Sequence, residues 1–448
     1  MTQLTTPPFD VKSIAPLSIP NRVLMGAGPS ASYPEVLRAM SANTLGHLDP
    51  EFIDIMNGVG AMLRQVFRTE NRVTGAVSAT GTAGMEAALC NLIEPGDEVL
   101  VPVAGYFADR MLQMVTRMGG KVKVIERPWG TAFTPEEIEA ALQEMDAPKV
   151  VAAVHAETST GVLHPVHEYA KIAHKYGALL VADCVTSLAG CPVLVDEWEW
   201  DACFSGTQKC IGAPPGLSPV TFSERAMQKV RARKTPVQSW YFDMSLVETY
   251  WGDSSGGRAY HHTAPSNALF GLYEALRMTL VEGLENRWSR HELHSNALMA
   301  GLEAMGLEPF AQEGYRLWQL NIVQVPDGID DAKVRGRLLR DYQIEIGGGL
   351  GPIKGQVWRI GTMGYSAQRA NIDLVLTALE TILRDEGFKL VPGAALEAAT
   401  RVYHENTQSE TPAAQFGDVP LKTPTLLEAQ GETTPAESVA VGVAHHES

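Results

Sequence analysis

Three segments of the chain place small or ionisable residues directly after an apolar run, where they could do chemistry. Ser78–Gly84 is rich in small residues, Asp183 closes the apolar run Ala178–Ala182, and Ser205–Lys209 follows the run that ends at Phe204. In open α/β sheets, ligands bind beyond the carboxyl ends of the strands. The three segments are therefore candidates for one common site.

The first segment, Ser78–Gly84, could hold a phosphate group. Small residues let the backbone approach an anion, and the free N–H groups and the dipole at the start of the following helix attract it. The hydroxyls of Thr80 and Thr82 could add hydrogen bonds. The segment matches neither the Walker pattern nor the GxGxxG dinucleotide pattern. A tight strand-to-helix turn that binds nothing explains these residues about as well.

Asp183 and Lys209 each allow a chemical and a structural interpretation. A carboxylate at the end of an apolar strand is costly to bury unpaired, so Asp183 needs a cation, and a protonated pyridine nitrogen would serve. An aspartate that caps the next turn is the alternative. Desolvation of Lys209 would lower the pKa of its amine and let it form a Schiff base. An exposed lysine at a strand exit is the alternative there.

The elements that would position these residues indicate an α/β fold. From about residue 72, apolar runs alternate with helical patterns, which predicts a mostly parallel sheet covered on both faces. A long helical pattern over Ala268–His294 leads to a smaller α+β part. Strands are predicted at Val73–Ser78, Glu98–Val103, Val150–His155, Ala178–Asp183, Ala202–Gly206, Leu317–Val325 and Val357–Thr362, and helices at Ala83–Leu92 and near 331–341 and 370–385.

This pattern divides the chain into four parts. Residues 1–21 form an N-terminal arm, 22–285 a large domain and 286–404 a small C-terminal domain. Residues 405–448 form an acidic tail that we expect to be disordered, because Gln, Thr, Glu, Pro and Ala dominate it and its periodicity stops.

Composition excludes several classes of function. The formal net charge of −16 and the lack of a basic patch argue against a nucleic-acid partner. The five cysteines form no CxxC pair, which argues against a disulfide framework or a zinc site and favours reduced thiols in the cytoplasm. No apolar stretch approaches the ~18 residues of a membrane span.

His291 and His294 are too close for the HExxH zinc motif, so we expect them on a solvated helix face and predict no metal.

Together, a phosphate turn, then an acid, then a lysine is an order that resembles aminotransferases of the aspartate-aminotransferase fold, fold type I. The likeness is to the class V branch, in particular to alanine–glyoxylate and serine–pyruvate aminotransferases, and it runs from about Arg22 to Leu383. The matching stretches are Gly28–Ser30, Glu94–Asp97, Glu157–Gly161, Ser205–Lys209, Ala213–Gly216, Tyr260–Thr263, Gly348–Gly351 and Arg359–Gly361.

The resemblance implies pyridoxal 5′-phosphate as cofactor and assigns roles to matching residues. Lys209 would be the Schiff-base lysine, Asp183 would pair with the pyridine nitrogen, and Arg359 would hold the substrate carboxylate. Gly26 and Asn267 would lie in the donor pocket. The other cofactor contacts would come from Thr80, Gly81, Thr82, Phe107, Thr158 and Gln208, with Tyr260 and Thr263 reaching the cofactor phosphate of the partner subunit.

Two of these positions depart from the family pattern. The family often has His where this chain has Thr82, and the mammalian relatives have Trp where it has Phe107. Thr82 offers a hydroxyl in place of the imidazole, and Phe107 keeps an aromatic ring for stacking on the cofactor.

The implied function is transfer of an amino group from alanine or serine to glyoxylate, which gives glycine and a 2-oxo acid, in a cytoplasmic homodimer. A ureidoglycine–glyoxylate or serine–glyoxylate aminotransferase is the alternative, and pyridoxamine–pyruvate aminotransferases are similar near Tyr33–Leu37. Cysteine desulfurases need a later cysteine, and none follows Cys210. A binding protein that kept the fold without catalysis is disfavoured, because Lys209, Asp183 and Arg359 are all present.

Overall fold

The computed structural model describes residues 14–251 and 258–408; residues 1–13 of the predicted arm, the segment 252–257 and the tail from 409 lie outside it. The strands are β1 (Val23–Leu24), β2 (Val73–Val77), β3 (Glu98–Val103), β4 (Lys121–Glu126), β5 (Pro148–Val154), β6 (Ala156–Glu157), β7 (Val162–Leu163), β8 (Leu179–Asp183), β9 (Ala202–Phe204), β10 (Ser218–Phe222), β11 (Leu320–Gln324), β12 (Ile344–Glu345), β13 (Gly347–Gly348) and β14 (Val357–Gly361).

Helices surround these strands. They are α1 (Pro34–Met40), α2 (Pro50–Phe67), α3 (Gly81–Leu92), α4 (Tyr106–Arg117), α5 (Pro135–Gln143), α6 (Tyr169–Lys175), α7 (Glu224–Arg231), α8 (Met244–Trp251), α9 (Ser266–Glu282), α10 (Leu284–Ala304), α11 (Asp331–Asp341), α12 (Arg369–Asp385) and α13 (Ala394–Gln408), with short 3₁₀ helices at Val166–Glu168, Gly351–Ile353 and Gly364–Ser366. None of the helices formed by the described residues combines the length and the apolar character that a membrane crossing needs.

The large sheet, as far as the described residues form it, has seven strands in the order β2-β10-β9-β8-β5-β3-β4. Neighbouring strands are parallel except at β10, which is antiparallel to both β2 and β9. Successive residues of β5 belong to different hydrophobic cores, since Val151 lies in one and Ala152 in the other. The sheet is therefore covered on both faces, and the expected α/β architecture with a mostly parallel sheet is confirmed.

The register of the central strands aligns their carboxyl ends. Val154 at the end of β5 pairs with Asp183 at the end of β8, and Asp183 pairs with Phe204 at the end of β9. The segments that follow these three strands consequently leave the sheet at one edge, as the sequence predicted.

Two strands of this sheet were not predicted. β4 alternates lysine with apolar residues at the sheet edge, and its residues are only half-buried or exposed. β10 contains Pro219, and a proline usually argues against an interior strand because it cannot donate a ladder hydrogen bond. Here Pro219 takes part through its carbonyl, which accepts from the Ser205 N–H at 2.8 Å.

The second half of the chain corrects two further expectations. The single helix expected over Ala268–His294 is two helices, α9 and α10, because Gly283 between them has φ 83°, a left-handed conformation that favours glycine. The tail expected from residue 405 begins later, because α13 continues to Gln408. The predicted domain boundary at 286 falls in the first turn of α10, and the division into domains stays a prediction.

A smaller antiparallel sheet, β11-β14-β13, carries Arg359 in its central strand. Helices α10, α12 and α13 bury apolar residues in the core beside this sheet. The unpredicted helix α13 contributes Ala395, Ala399 and Tyr403 to that core, which explains why the chain stays helical beyond the expected limit.

We expect Tyr403→Ala to lower the free energy of unfolding by about 3–5 kcal/mol, the usual range for truncating a buried aromatic ring. The Tyr403 ring is buried in this core, and its hydroxyl lies 2.9 Å from His294 Nδ1. Tyr403→Phe, which keeps the ring and loses one hydrogen bond, should cost about 1 kcal/mol. Urea unfolding of both variants measures the difference, and an alanine variant as stable as the phenylalanine variant would refute the packing role of α13.

Candidate active site

A cleft opens at the carboxyl edge of the large sheet. It holds about 590 Å³ of atom-free space, part of it open to solvent. Seven of the residues selected from the sequence line it, in contact with a few residues that were not selected. The lining residues are Gly81, Thr82, Met85, Phe107, Arg110, Ala156, Thr158, Asp183, Val185, Thr186, Gln208 and Lys209.

Lys209 follows β9 in the short turn Thr207–Ile211 and points into this cleft with 8% of its surface exposed. Its Nζ donates a hydrogen bond to the carbonyl of Ala27, on the loop after β1. Burial lowers the pKa of the amine to about 8, with the charge of Arg359 acting in the same direction. About a tenth of the amine is therefore neutral, and hence nucleophilic, at pH 7, far more than for an ordinary lysine.

Asp183 ends β8 and is 3% exposed. Its Oδ1 accepts a hydrogen bond from the Val185 N–H at 2.9 Å. Burial raises the pKa of the carboxyl to about 7, and the nearby Glu157 charge adds to the rise. Within residues 14–251 and 258–408, no lysine, arginine or histidine forms a salt bridge with Asp183. The carboxyl is ready to take a cationic partner from a ligand.

The turn between β2 and α3 has the form expected of an anion site. Thr80 is the residue before the helix, with extended backbone (φ −71°, ψ 167°), and its side chain caps none of the helix N–H groups. Gly81 passes close to the exit of β9, where an added Cβ would lie 3.4 Å from the Ser205 carbonyl oxygen. The Thr82 hydroxyl accepts a hydrogen bond from Arg110 Nη1 at 3.0 Å.

Gln208 and Phe107 complete the cleft around Lys209. The Gln208 Oε1 atom is buried and has no hydrogen-bond partner among the described residues. Phe107 lies in the first turn of α4, and the Arg110 guanidinium is 4.9 Å from the centre of its ring. A flat ligand in the cleft would find one aromatic face and one unused polar side chain.

The Glu157–Gly161 turn ties the cleft to α4. The Glu157 carboxyl is fully buried and accepts hydrogen bonds from the Phe107 and Ala108 N–H groups at 3.1 and 3.2 Å. Burial raises the pKa of this carboxyl, while the donated hydrogen bonds favour its charged form. Glu157 and Arg110 were not selected from the sequence; only the fold brings Glu157 next to Phe107, whereas Arg110 lies one helical turn after it on α4.

Arg359, on β14, lies in the same region with 8% of its surface exposed. Its Nε donates to the Gly348 carbonyl at 2.7 Å and its Nη1 to the Thr158 carbonyl at 3.2 Å. Burial lowers the pKa of the guanidinium. Gly26 lies beside the same strands, since an added Cβ would be 3.6 Å from the Gly347 nitrogen. No carboxylate in the described part of the chain forms a salt bridge with Arg359.

Three residues assigned from the resemblance lie away from the cleft within one chain. Tyr260 is 60% exposed and its hydroxyl is 3.3 Å from Thr263 Oγ1. Asn267 donates to the carbonyls of Met40 and Ala42 and accepts from Thr44, which occupies its side-chain amide. Their roles at a site therefore stay predictions.

The expectation for His291 and His294 is wrong. Both rings are buried rather than solvated, because the 364–366 turn and α13 pack over this face of α10. His291 Nε2 accepts from the Gly364 N–H at 3.0 Å, and burial lowers the pKa of its ring well below the usual value. Among the residues that the structure describes, no group of three or more His, Cys, Asp or Glu side chains could hold a metal ion.

Comparisons with known proteins agree with this geometry. The family described as Aminotransferase class-V matches residues 20–354. An (S)-ureidoglycine–glyoxylate transaminase of Bacillus subtilis is 40% identical over 86% of this chain and 96% of its own length. An alanine–glyoxylate aminotransferase of Drosophila melanogaster is 41% identical over 84% of this chain and 96% of its own. The crystal structure of an alanine–glyoxylate aminotransferase from Nostoc sp. superimposes with a TM-score of 0.81 at 46% identity, covering 83% of this chain and 98% of that one.

In the folded, cofactor-free protein we expect Lys209 to react with formaldehyde and borohydride at half its maximal rate near pH 8, because burial lowers the pKa of its amine to about 8. In the urea-unfolded protein the same lysine should reach half its maximal rate near pH 10.4, because about 10.4 is the ordinary pKa of a lysine side chain. Isotopic reductive methylation with peptide mass spectrometry measures both curves. Identical curves in the two states would contradict a desolvated amine.

Proposed function

The chain belongs to the class-V aminotransferases, which depend on pyridoxal phosphate, and we propose that it transfers the amino group of alanine or serine to glyoxylate. This membership confirms the enzyme class, the cofactor and the fold type I architecture that the sequence implies. The products would be glycine and the 2-oxo acid of the donor, which assigns the enzyme to glycine biosynthesis. The acceptor is supported by relatives named for glyoxylate.

The residues of the cleft fit pyridoxal phosphate. Asp183 is a buried carboxyl without a cation, which suits the protonated ring nitrogen. The backbone N–H groups at the start of α3 would hold a phosphate, and Gln208 lines the same cleft. Phe107 offers an aromatic face, and the neutral amine of Lys209 suits attachment to the aldehyde.

Bound pyridoxal phosphate supplies an aldehyde carbon that takes up the amino group and a ring that accepts electrons. Asp183 holds the proton on the ring nitrogen, since an ionised carboxylate stabilises that cation in a dry site. Lys209, freed by the incoming substrate, takes the proton from the α-carbon as general base. The low pKa of its amine makes the neutral form available for this step.

The observation that carries the proposal is the state of Arg359. It is a buried guanidinium whose partners are the carbonyl oxygens of Gly348 and of the cleft residue Thr158, and its charge acts on Lys209. A planar guanidinium binds a carboxylate through two parallel bonds, which fixes the α-carbon for proton transfer. Amino acid donors and glyoxylate both carry such a carboxylate, so each would bind Arg359 in turn.

Ureidoglycine is a second candidate donor, because a relative at 40% identity is named for it. Steady-state rates with alanine, serine and ureidoglycine against glyoxylate distinguish the donors, with Lys209→Ala as the inactive control. The proposal requires alanine or serine to give the highest kcat/KM. A preference for ureidoglycine would replace the donor while leaving glyoxylate as acceptor, and turnover by Lys209→Ala near the wild-type rate would refute the assigned lysine.

We also propose a homodimer in which Tyr260 and Thr263 of one subunit reach the cofactor phosphate of the other. Tyr260 is 60% and Trp240 64% exposed, and large exposed aromatic side chains are typical of interfaces. In a two-fold dimer each subunit gives and receives the same contact. A cytoplasmic location is supported by five cysteines that are all buried and unpaired.

Arg359→Lys should raise the KM for the amino donor and for glyoxylate by roughly tenfold or more. Lysine keeps the charge but cannot form two parallel bonds, and one charge-assisted bond contributes about 1.5–3 kcal/mol. Half-reactions with each substrate, followed by the absorbance of the cofactor, measure the two affinities separately. An effect confined to one substrate would contradict the shared carboxylate site.

The crossed contacts predict complementation. We expect Lys209→Ala and the double variant Tyr260→Ala, Thr263→Ala each to be inactive, and mixed dimers of the two to regain part of the activity. One site of the mixed dimer has its own Lys209 and the partner's intact Tyr260 and Thr263. Subunit exchange, verified by native mass spectrometry, that restores no activity would show that these contacts are made within one chain.

A further inference from the structure

We infer that Glu157 is a positioning residue, which anchors the first turn of α4 and so fixes the plane of the Phe107 ring in the cleft. The inference rests on the proposed function, because it presumes that Phe107 stacks on the cofactor. Glu157 itself does not line the cleft and touches no reacting atom. Glu157 would instead influence the cofactor indirectly, by holding the helix α4 that carries Phe107.

The Glu157 carboxyl is saturated by hydrogen bonds that it accepts. Oε2 accepts from the N–H groups of Phe107 and Ala108 at 3.1 and 3.2 Å, and Oε1 from the Ser159 N–H at 3.0 Å and the Ser159 hydroxyl at 2.6 Å. Ser159 Oγ in turn accepts from the Tyr106 N–H at 2.9 Å. Three successive N–H groups of α4 are thus held by one two-residue clasp, Glu157 and Ser159.

This clasp replaces the ordinary helix cap. The residue before α4 is Gly105, which has no side chain with which to cap the exposed N–H groups. A negative charge at this end also interacts favourably with the helix dipole. Every contact of the Glu157 carboxyl is one that a carboxylate satisfies, so a neutral amide of the same shape would turn an NH₂ group towards at least one donor.

Gly105 supports the same conclusion from the other side. Its φ of 179° is extended backbone that any residue adopts, so conformation does not require glycine here. The lack of space requires glycine instead, because a Cβ added at Gly105 would overlap the Glu157 carboxyl carbon and Cγ. The chain therefore gives up a side-chain cap at Gly105 so that a distant carboxylate can approach the helix end.

The clasp also lies next to the substrate arginine. The residue between Glu157 and Ser159 is Thr158, whose carbonyl accepts from Arg359 Nη1 at 3.2 Å. One short turn therefore contacts both the aromatic platform and the carboxylate-binding side chain. Displacing the turn would disturb the relative placement of the two.

The test measures cofactor binding rather than turnover. Apoprotein of Glu157→Gln, Phe107→Leu and the combined variant is titrated with pyridoxal phosphate, and the visible circular dichroism of the bound cofactor is recorded. Ser159→Ala provides a milder break of the same clasp should Glu157→Gln fail to fold. Thr160→Val is the matched control, because the neighbouring Thr160 hydroxyl is equally buried but has no hydrogen-bond partner among the described residues.

We expect Glu157→Gln to raise the dissociation constant by up to about tenfold, because the Phe107 ring would no longer be held in the plane that stacks on the cofactor, and to alter the circular dichroism. Ser159→Ala should do the same to a lesser degree, and Thr160→Val should change neither. The combined variant should bind no more weakly than Phe107→Leu alone, because the two substitutions abolish the same stacking contact, which can be lost only once.

Other outcomes separate the two ideas. If Phe107→Leu weakens binding but Glu157→Gln does not, or if their effects multiply, the positioning role is wrong while the proposed function stands. If Phe107→Leu leaves affinity unchanged, the stacking role within the proposed function fails and the inference fails with it. A loss of apoprotein thermal stability alone, with normal affinity and circular dichroism, would make the clasp purely structural.

Discussion

The cost of burying a carboxyl without a counter-charge is the constraint on which this site depends. Asp183 is enclosed at the end of β8 with one backbone hydrogen bond, and burial raises its pKa to about 7. A buried carboxyl of this kind persists only when the other interactions of the fold offset the free energy that its burial costs. A cationic group placed beside this carboxyl would remove that cost.

The contrast with Glu157 separates structure from function. Both carboxyls are buried at strand ends, Glu157 on β6 and Asp183 on β8, but Glu157 accepts four hydrogen bonds from α4 and from Ser159, whereas Asp183 accepts one. The Glu157 carboxyl is therefore saturated within the protein, whereas the Asp183 carboxyl can still accept hydrogen bonds. Lys209 resembles Asp183 in this respect, since burial lowers the pKa of its amine to about 8 although the Cys210 and Asp183 charges act in the opposite direction.

Much of this could be predicted from the sequence, because apolar runs identify buried strands and parallel strands end at one edge. Asp183 and Lys209 were found in this way, and the cleft contains both. Contacts that depend on tertiary packing could not be predicted. β10 was hidden by Pro219, and the burial of His291 was hidden because the turn that covers it lies far along the chain. Glu157 carried no signal of its own, since its partners on α4 precede it by about fifty residues.

The antiparallel strand β10 has a consequence for how the protein is made. β2, which carries the phosphate turn, pairs in the described sheet with β10 alone, and all five of its residues are buried. On the ribosome, β2 emerges early and must wait, with its apolar residues uncovered, until Phe222 has been synthesised. Pairings between distant segments are slow, and waiting strands are prone to aggregate. The pairing of β2 therefore waits until about half of the 448-residue chain, including Lys209, has been made.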